Sequence, residues 1–136
     1  MSFGKNTELG EVKISDQIIA QIILDAMDHE KIRDKIWPAT VRGRQIGLLP
    51  KIVDAEFASN MNIDSDENDR LTLEFNVIVK FGESIRSVTH ILADNIEDSL
   101  KYLLGINTSV ITINIAGVRS KQIARRNTKA VYRYED

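Results

Sequence analysis

Asp64, Asp66 and Asn68 place oxygen donors at the first, third and fifth positions of a calcium-binding loop. Such a loop needs a glycine at its sixth position to turn sharply and a bidentate glutamate at its twelfth. Asp69 and Phe75 stand there instead, so the run predicts a solvated acidic turn. His29 and His90 lie far apart, and neither has a second ligand at zinc-like spacing; His29 reads as a helix-end residue and His90 as part of a helix. The chain has no cysteine, which excludes disulfides, thiolate metal sites and thiol nucleophiles. No serine, threonine or lysine sits in a nucleophile elbow or a phosphate-binding loop. The expectation is a protein with no catalytic residue, metal or cofactor.

What remains chemically is charge. Residues 119–136 hold Arg119, Lys121, Arg125, Arg126, Lys129 and Arg133 against Glu135 and Asp136, a local +4 in a chain of net −2, so residues 1–118 carry −6. Arg42 and Arg44 add a second basic spot on either side of Gly43. Such a distribution suits contact with an acidic protein, nucleic acid or an anionic surface. The candidate partner or anion contacts are Arg42, Arg44, Arg119, Lys121, Arg125, Arg126 and Lys129. A solvated basic terminus is the plainer reading of residues 119–136, which hold the last five of these.

The elements that must position these groups can be read from periodicity. Leu9–Ile14 predicts a short strand, with Val12 and Ile14 on one face. Ser15 is suited to cap a helix and Asp16 to its first turn. Ile18, Ile19, Ile22, Ile23, Ala26 and Met27 then repeat at helical spacing, to about Asp28. Ile32 and Ile36 suggest a short second helix ending before Pro38, followed by a long link to Ile52. Val53–Ile63 alternates, with Ala55, Phe57, Met61 and Ile63 facing one way, and reads as the first strand of a hairpin through Asp64–Asp69. Leu71–Phe81 alternates without interruption. A helix capped by Ser84 and ended by Gly105 follows, and a strand over about Ser109–Ala116 closes the pattern.

The predicted fold is α+β: a two-layer sandwich in β-α-β-β-α-β order, with a mixed four-stranded sheet and two helices on one face. Residues 1–118 form a single domain and 119–136 a basic C-terminal tail. The other sheet face would show Thr72, Glu74, Asn76, Lys80, Thr112 and Asn114. Of these, Thr72, Asn76, Thr112 and Asn114 are the candidate self-association face, because uncharged polar side chains tolerate another subunit better than lysine does. The same order describes an RNA-recognition sheet, but that module stacks bases on open-face aromatics. Here Phe57, Phe75 and Phe81 share the apolar register and are expected in the core. No two glycines have the Gly-x-x-Gly spacing of a KH domain.

Three segments carry a family resemblance: LGEVKISDQIIAQI, VIVKFGESIRSVTHILADNIEDSLKYLLGI and VITINIAGV. With the Phe81-Gly82-Glu83-Ser84 and Leu104-Gly105-Ile106 steps, they resemble the alkaline-shock-protein family of envelope-stress proteins from Gram-positive bacteria. The segments span somewhat over half the chain. The link over residues 29–52, with Trp37 and Pro38, is longer and more basic than that family's usual one, and the tail has no clear counterpart. The resemblance implies a small α/β domain without known catalysis, abundant in the cytoplasm and tied to envelope homeostasis, some members being held near the membrane by a separate anchored partner. It has no catalytic residues to carry over. The expected role is therefore a non-enzymatic scaffold that self-associates and binds protein partners, located in the cytoplasm or at the inner face of the membrane, with no membrane span of its own. The alternative is a sequence-independent nucleic-acid binder using the basic link and tail.

Overall fold

The computed structural model describes residues 2–7, 10–47 and 53–135, as backbone only through residue 13. Leu9, Pro50, Lys51, Ile52 and Asp136, and the side chain of Val12, lie outside the described residues. The chain runs β1 (Ser2–Thr7), β2 (Gly10–Ser15), α1 (Asp16–Met27), β3 (Ile36–Ala39), α2 (Val53–Ser59), β4 (Asn62–Ser65), β5 (Leu71–Lys80), α3 (Ile85–Leu104), β6 (Thr108–Arg119) and β7 (Ile123–Arg133). This is an α+β fold. Strands β1 and β2 pair as a separate ribbon, and the main sheet is open and mixed, in the order β3-β5-β6-β7 with β4 also on β5. Strands β5 and β6 are parallel and every other pairing is antiparallel. No described helix is long and apolar enough to cross a membrane.

The helix boundaries follow local chemistry. Ser15 Oγ accepts the Ile18 N–H at 3.2 Å and Ser84 Oγ accepts that of Ser87 at 3.2 Å, each satisfying an amide the helix itself leaves open. Gly105 ends α3 in the left-handed conformation, φ 64°, where a side chain is disfavoured. The apolar stripes of α1 and α3 close over one sheet face in a single core with Leu71, Leu73, Phe75, Val77, Ile111, Ile113 and Ile115. Tyr134 follows β7 and fastens it to α3 through a hydrogen bond to Asp94 Oδ1 at 3.1 Å. Burial, and then this bond, push the Tyr134 phenol well above its ordinary value.

Four sequence expectations are corrected. Residues 53–59 are helical: Asp54 and Glu56 occupy the first turn, where the helix dipole favours acid. Asn60 Nδ2 ties the end back to Glu56 O at 3.0 Å, so only Asn62–Ser65 extends. Phe57 still reaches the core, where its ring meets Phe75 edge-on at 5.8 Å, but it comes from a helix. No helix forms before Pro38, because His29–Lys35 closes as turns and Asp34 takes a positive φ of 63°. Pro38 instead lies in β3 at the sheet edge, where a missing N–H is tolerated. Phe81 is 71% exposed: β5 ends at Lys80, so Phe81 falls beyond the helices' cover. Finally, the segment read as a tail contains β7, paired with β6 from Val110↔Arg133 to Arg119↔Ile123.

Glycine at two positions separates backbone strain from steric overlap. A Cβ on Gly43 (φ 87°) would stand 2.8 Å from the Ala116 carbonyl oxygen, whereas one on Gly82 (φ 89°) would meet nothing within 4 Å. Gly82→Ala is expected to lose only the left-handed penalty, about 1–2 kcal/mol, and Gly43→Ala about twice that or more because the link must also lift off β6. Urea denaturation midpoints check the order; equal losses would contradict the close approach.

Candidate functional site

The open face of the sheet is organised by Glu74. Strand register sets Asn62 opposite Glu74, then Thr112 and Val131 in the same row, with Asn76, Asn114 and Lys129 in the next. Glu74 Oε2 accepts from Asn114 Nδ2 at 3.0 Å and lies 3.6 Å from Lys129 Nζ, while Oε1 accepts from Asn62 Nδ2 at 3.4 Å. The Asn114 hydrogen bond above all, opposed by partial burial and aided by Asn62 and Lys129, holds the Glu74 carboxyl below its ordinary value of 4.5. One carboxylate thus braces β4, β6 and β7 from β5.

Beside this grid the ladders lose step at one point. Val77 pairs with Ile115 but Ile78 with Gly117, so Ala116 is an extra residue against β5. On the other side, Ile115 pairs with Thr128 and Gly117 with Arg125, so Arg126 and Asn127 together face Ala116. A bulge of this kind bends the strand and re-aims its side chains. The link after β3 folds over the same spot. Thr40 N–H donates to Arg44 O at 2.8 Å and Gly43 N–H to Thr40 O at 3.0 Å. This tight loop carries Val41 and Arg42 to the sheet, and the Val41 N–H donates to Asn60 Oδ1 at 3.3 Å. Link and bulge flank an open concavity of about 560 Å³ that Arg42, Arg125, Arg126, Lys129, Asn76, Asn114 and Asn127 help to line.

The structure therefore divides the residues singled out in the sequence. Arg42, Arg125, Arg126 and Lys129 converge on the concavity. Arg44 turns away to Glu56, 3.3 Å distant. Arg119 lies over the Trp37 ring, 4.6 Å from its centroid, and donates to Gln45 Oε1 at 3.3 Å. Lys121 stands exposed in the β6–β7 turn. Of the four polar residues expected on an association face, Asn76 is buried, with its Nδ2 donating to Asn60 O at 3.0 Å. Asn114 also donates to Asn76 Oδ1 at 3.3 Å, and its own Oδ1 is buried without a hydrogen-bond partner. Thr72 and Thr112 are half-buried in the open part of the face.

Sequence reasoning missed Glu74 as the brace and Asn127 as a lining residue. Strand register alone brings either to its place, and no local pattern announces it. The acidic turn uses its donors on itself: Asp66 Oδ1 accepts the N–H groups of Asn68 and Arg70, each at 2.9 Å. These bonds, that from Arg70 foremost, hold its carboxyl below the ordinary value. Among the described residues, no three His, Asp or Glu side chains are grouped to hold a metal ion. His90 sits 3.4 Å from Asp94 Oδ2 with its ring against Tyr132, and His29 Nδ1 accepts the Lys31 N–H.

A family model described as the alkaline shock protein 23 family, of cell envelope-related function, matches residues 4–120. That span takes in most of the chain. It is not known as a family of enzymes. No curated protein and no solved structure matches the chain.

The depressed Glu74 carboxyl fixes the sign of a pH effect. Its stabilisation is present above the unfolded value of 4.5 and is lost as pH falls through the lower folded value. Glu74→Gln should be less stable than the native chain near neutrality and show a shallower decline from about pH 5 to about pH 3. Urea unfolding across that range checks this; an acid limb as steep in the variant would remove Glu74 from the role of brace.

Proposed function

We propose, for a chain that belongs to the alkaline-shock-protein family of cell envelope-related function, a non-enzymatic role as an interaction or scaffold protein that associates with copies of itself and with protein partners. The setting is the cytoplasm, at the inner side of the envelope, and a membrane-anchored protein is among the expected partners. The observation that supports this reading best is the open sheet face around Glu74. There Thr72, Thr112 and the 46%-exposed Val131 are uncharged positions next to a concentrated set of cations. Uncharged positions tolerate close approach of a second surface, and a charged rim selects and orients it.

Nucleic-acid binding is the competing reading. The cations it would need do not form an unbroken track, because Arg44 is engaged with Glu56 and Arg119 with Trp37. A non-specific binder should also lose affinity steeply with salt, in proportion to the phosphates it neutralises.

Light scattering of the purified chain is expected to give a mass above that of the monomer. Thr112→Arg, which places a charge among these uncharged positions, should return it toward the monomer without changing its melting temperature by more than about 2 °C. A native chain that is strictly monomeric and draws no partner from a native lysate would sink the proposal.

A further inference from the structure

We infer that the concavity at the Ala116 bulge is a binding site for a small phosphate-bearing anion. Arg42 arrives from the link, and Arg125, Arg126 and Lys129 from β7, and among the described residues no carboxylate lines the space between them. Among the described residues Glu74 stands nearest, 3.6 Å from Lys129, and the three guanidiniums have no acid partner there. Like charges gathered around one hollow repel one another and raise its local potential. An anion with several negative charges relieves that repulsion, and the field concentrates such anions.

The donors favour phosphate over a single carboxylate. Guanidinium forks match the geometry of phosphate oxygens and bind them through paired hydrogen bonds. Arg126 is already oriented, since its Nε donates to Thr128 Oγ1 at 3.1 Å and its terminal nitrogens remain for a ligand. One carboxylate would leave most of the site's charge unmet. The volume, about 560 Å³, lies in the range of small-molecule sites, roughly 300–1,000 Å³, and exceeds what a lone phosphate fills. Val41 and Ala116 add an apolar wall on which an organic portion can rest. The ligand class is thus a diphosphate or a phosphate ester, whether a soluble compound or the headgroup of a lipid. The site is also built into the backbone: the bulge turns Arg125 and Arg126, and the approach of Gly43 to Ala116 O fixes the link above them.

Isothermal titration of pyrophosphate into the full chain tests this. Saturable binding at one site per chain is expected, weakened tenfold or more in an Arg125→Gln/Arg126→Gln double variant whose melting curve shows it folded. Lys121→Gln, which removes a cation outside the concavity, should leave it unchanged. Vesicles containing phosphatidylglycerol then identify the source. Co-sedimentation that pyrophosphate reverses assigns the ligand to a lipid headgroup, and pyrophosphate binding without co-sedimentation assigns it to a soluble compound; both support the site. The inference is overturned by absence of saturable pyrophosphate binding or by equal weakening in Lys121→Gln. Vesicle binding that pyrophosphate cannot displace would also overturn it, as would duplex DNA binding that Lys121→Gln and the double variant weaken alike.

Discussion

The parallel pairing of β5 with β6 is the constraint from which the rest of the molecule follows. Two parallel neighbours cannot be joined by a tight turn, so the chain must cross the sheet between them, and α3 is that crossing. Its buried residues Val88, Leu92, Ala93, Ile96 and Leu100 then cover the apolar face that Leu73, Phe75, Val77, Ile111, Ile113 and Ile115 present. With one face committed to helices, whatever the sheet does beyond folding is left to its other face and its edges. Strand β5 is flanked on its far side by two short strands placed end to end, β3 against Asn76–Val79 and β4 against Leu71–Glu74. The first part of the connection between them, the tight loop Thr40–Arg44, lies over the open face and becomes one wall of the concavity, whereas α2 later in it sends Phe57 into the core.

The second consequence is the irregularity at Ala116. A regular ladder would carry β7 past this point with its basic side chains alternating between faces. The extra residues on β6 and β7 break that alternation and turn Arg125, Arg126 and Asn127 toward Arg42. Gly117 tolerates the crowding this creates, since a Cβ there would lie 2.9 Å from Ile123 Cγ2 and 3.3 Å from Ala124 O. Glu74 works against the accumulated positive charge from one side, joining Lys129 to Asn114 and Asn62. The open face is therefore polar by construction and uneven in charge, cationic at the bulge and nearly neutral over Thr72, Thr112 and Val131.

Those features were legible in the sequence wherever a local rule determined them. Ser15, Ser84 and Gly105 announced both long helices, and the alternation of Leu71–Val79 announced the central strand, because caps and burial act over a few residues. Residues 53–59 suit a strand or a helix equally, because Val53, Phe57 and Met61 sit four apart and satisfy both periods. Pro38 misled for a different reason: a proline that ends a helix and one that occupies an edge strand look alike until the pairing is known. The candidate site was legible only as a list of cations. Their division into four that converge and three that do not depends on strand register and on a bulge, and neither leaves a mark in composition.

The proposed role puts the working surface of this chain on the open face of its sheet. Amide hydrogen exchange compared between dilute and concentrated protein tests it most directly. Slowed exchange on concentration is expected over β4, the exposed half of β7 and the link around Val41–Arg44, with α1 and α3 unchanged. Protection that appears instead on the exposed sides of α1 and α3, leaving the open face as it was, would contradict it.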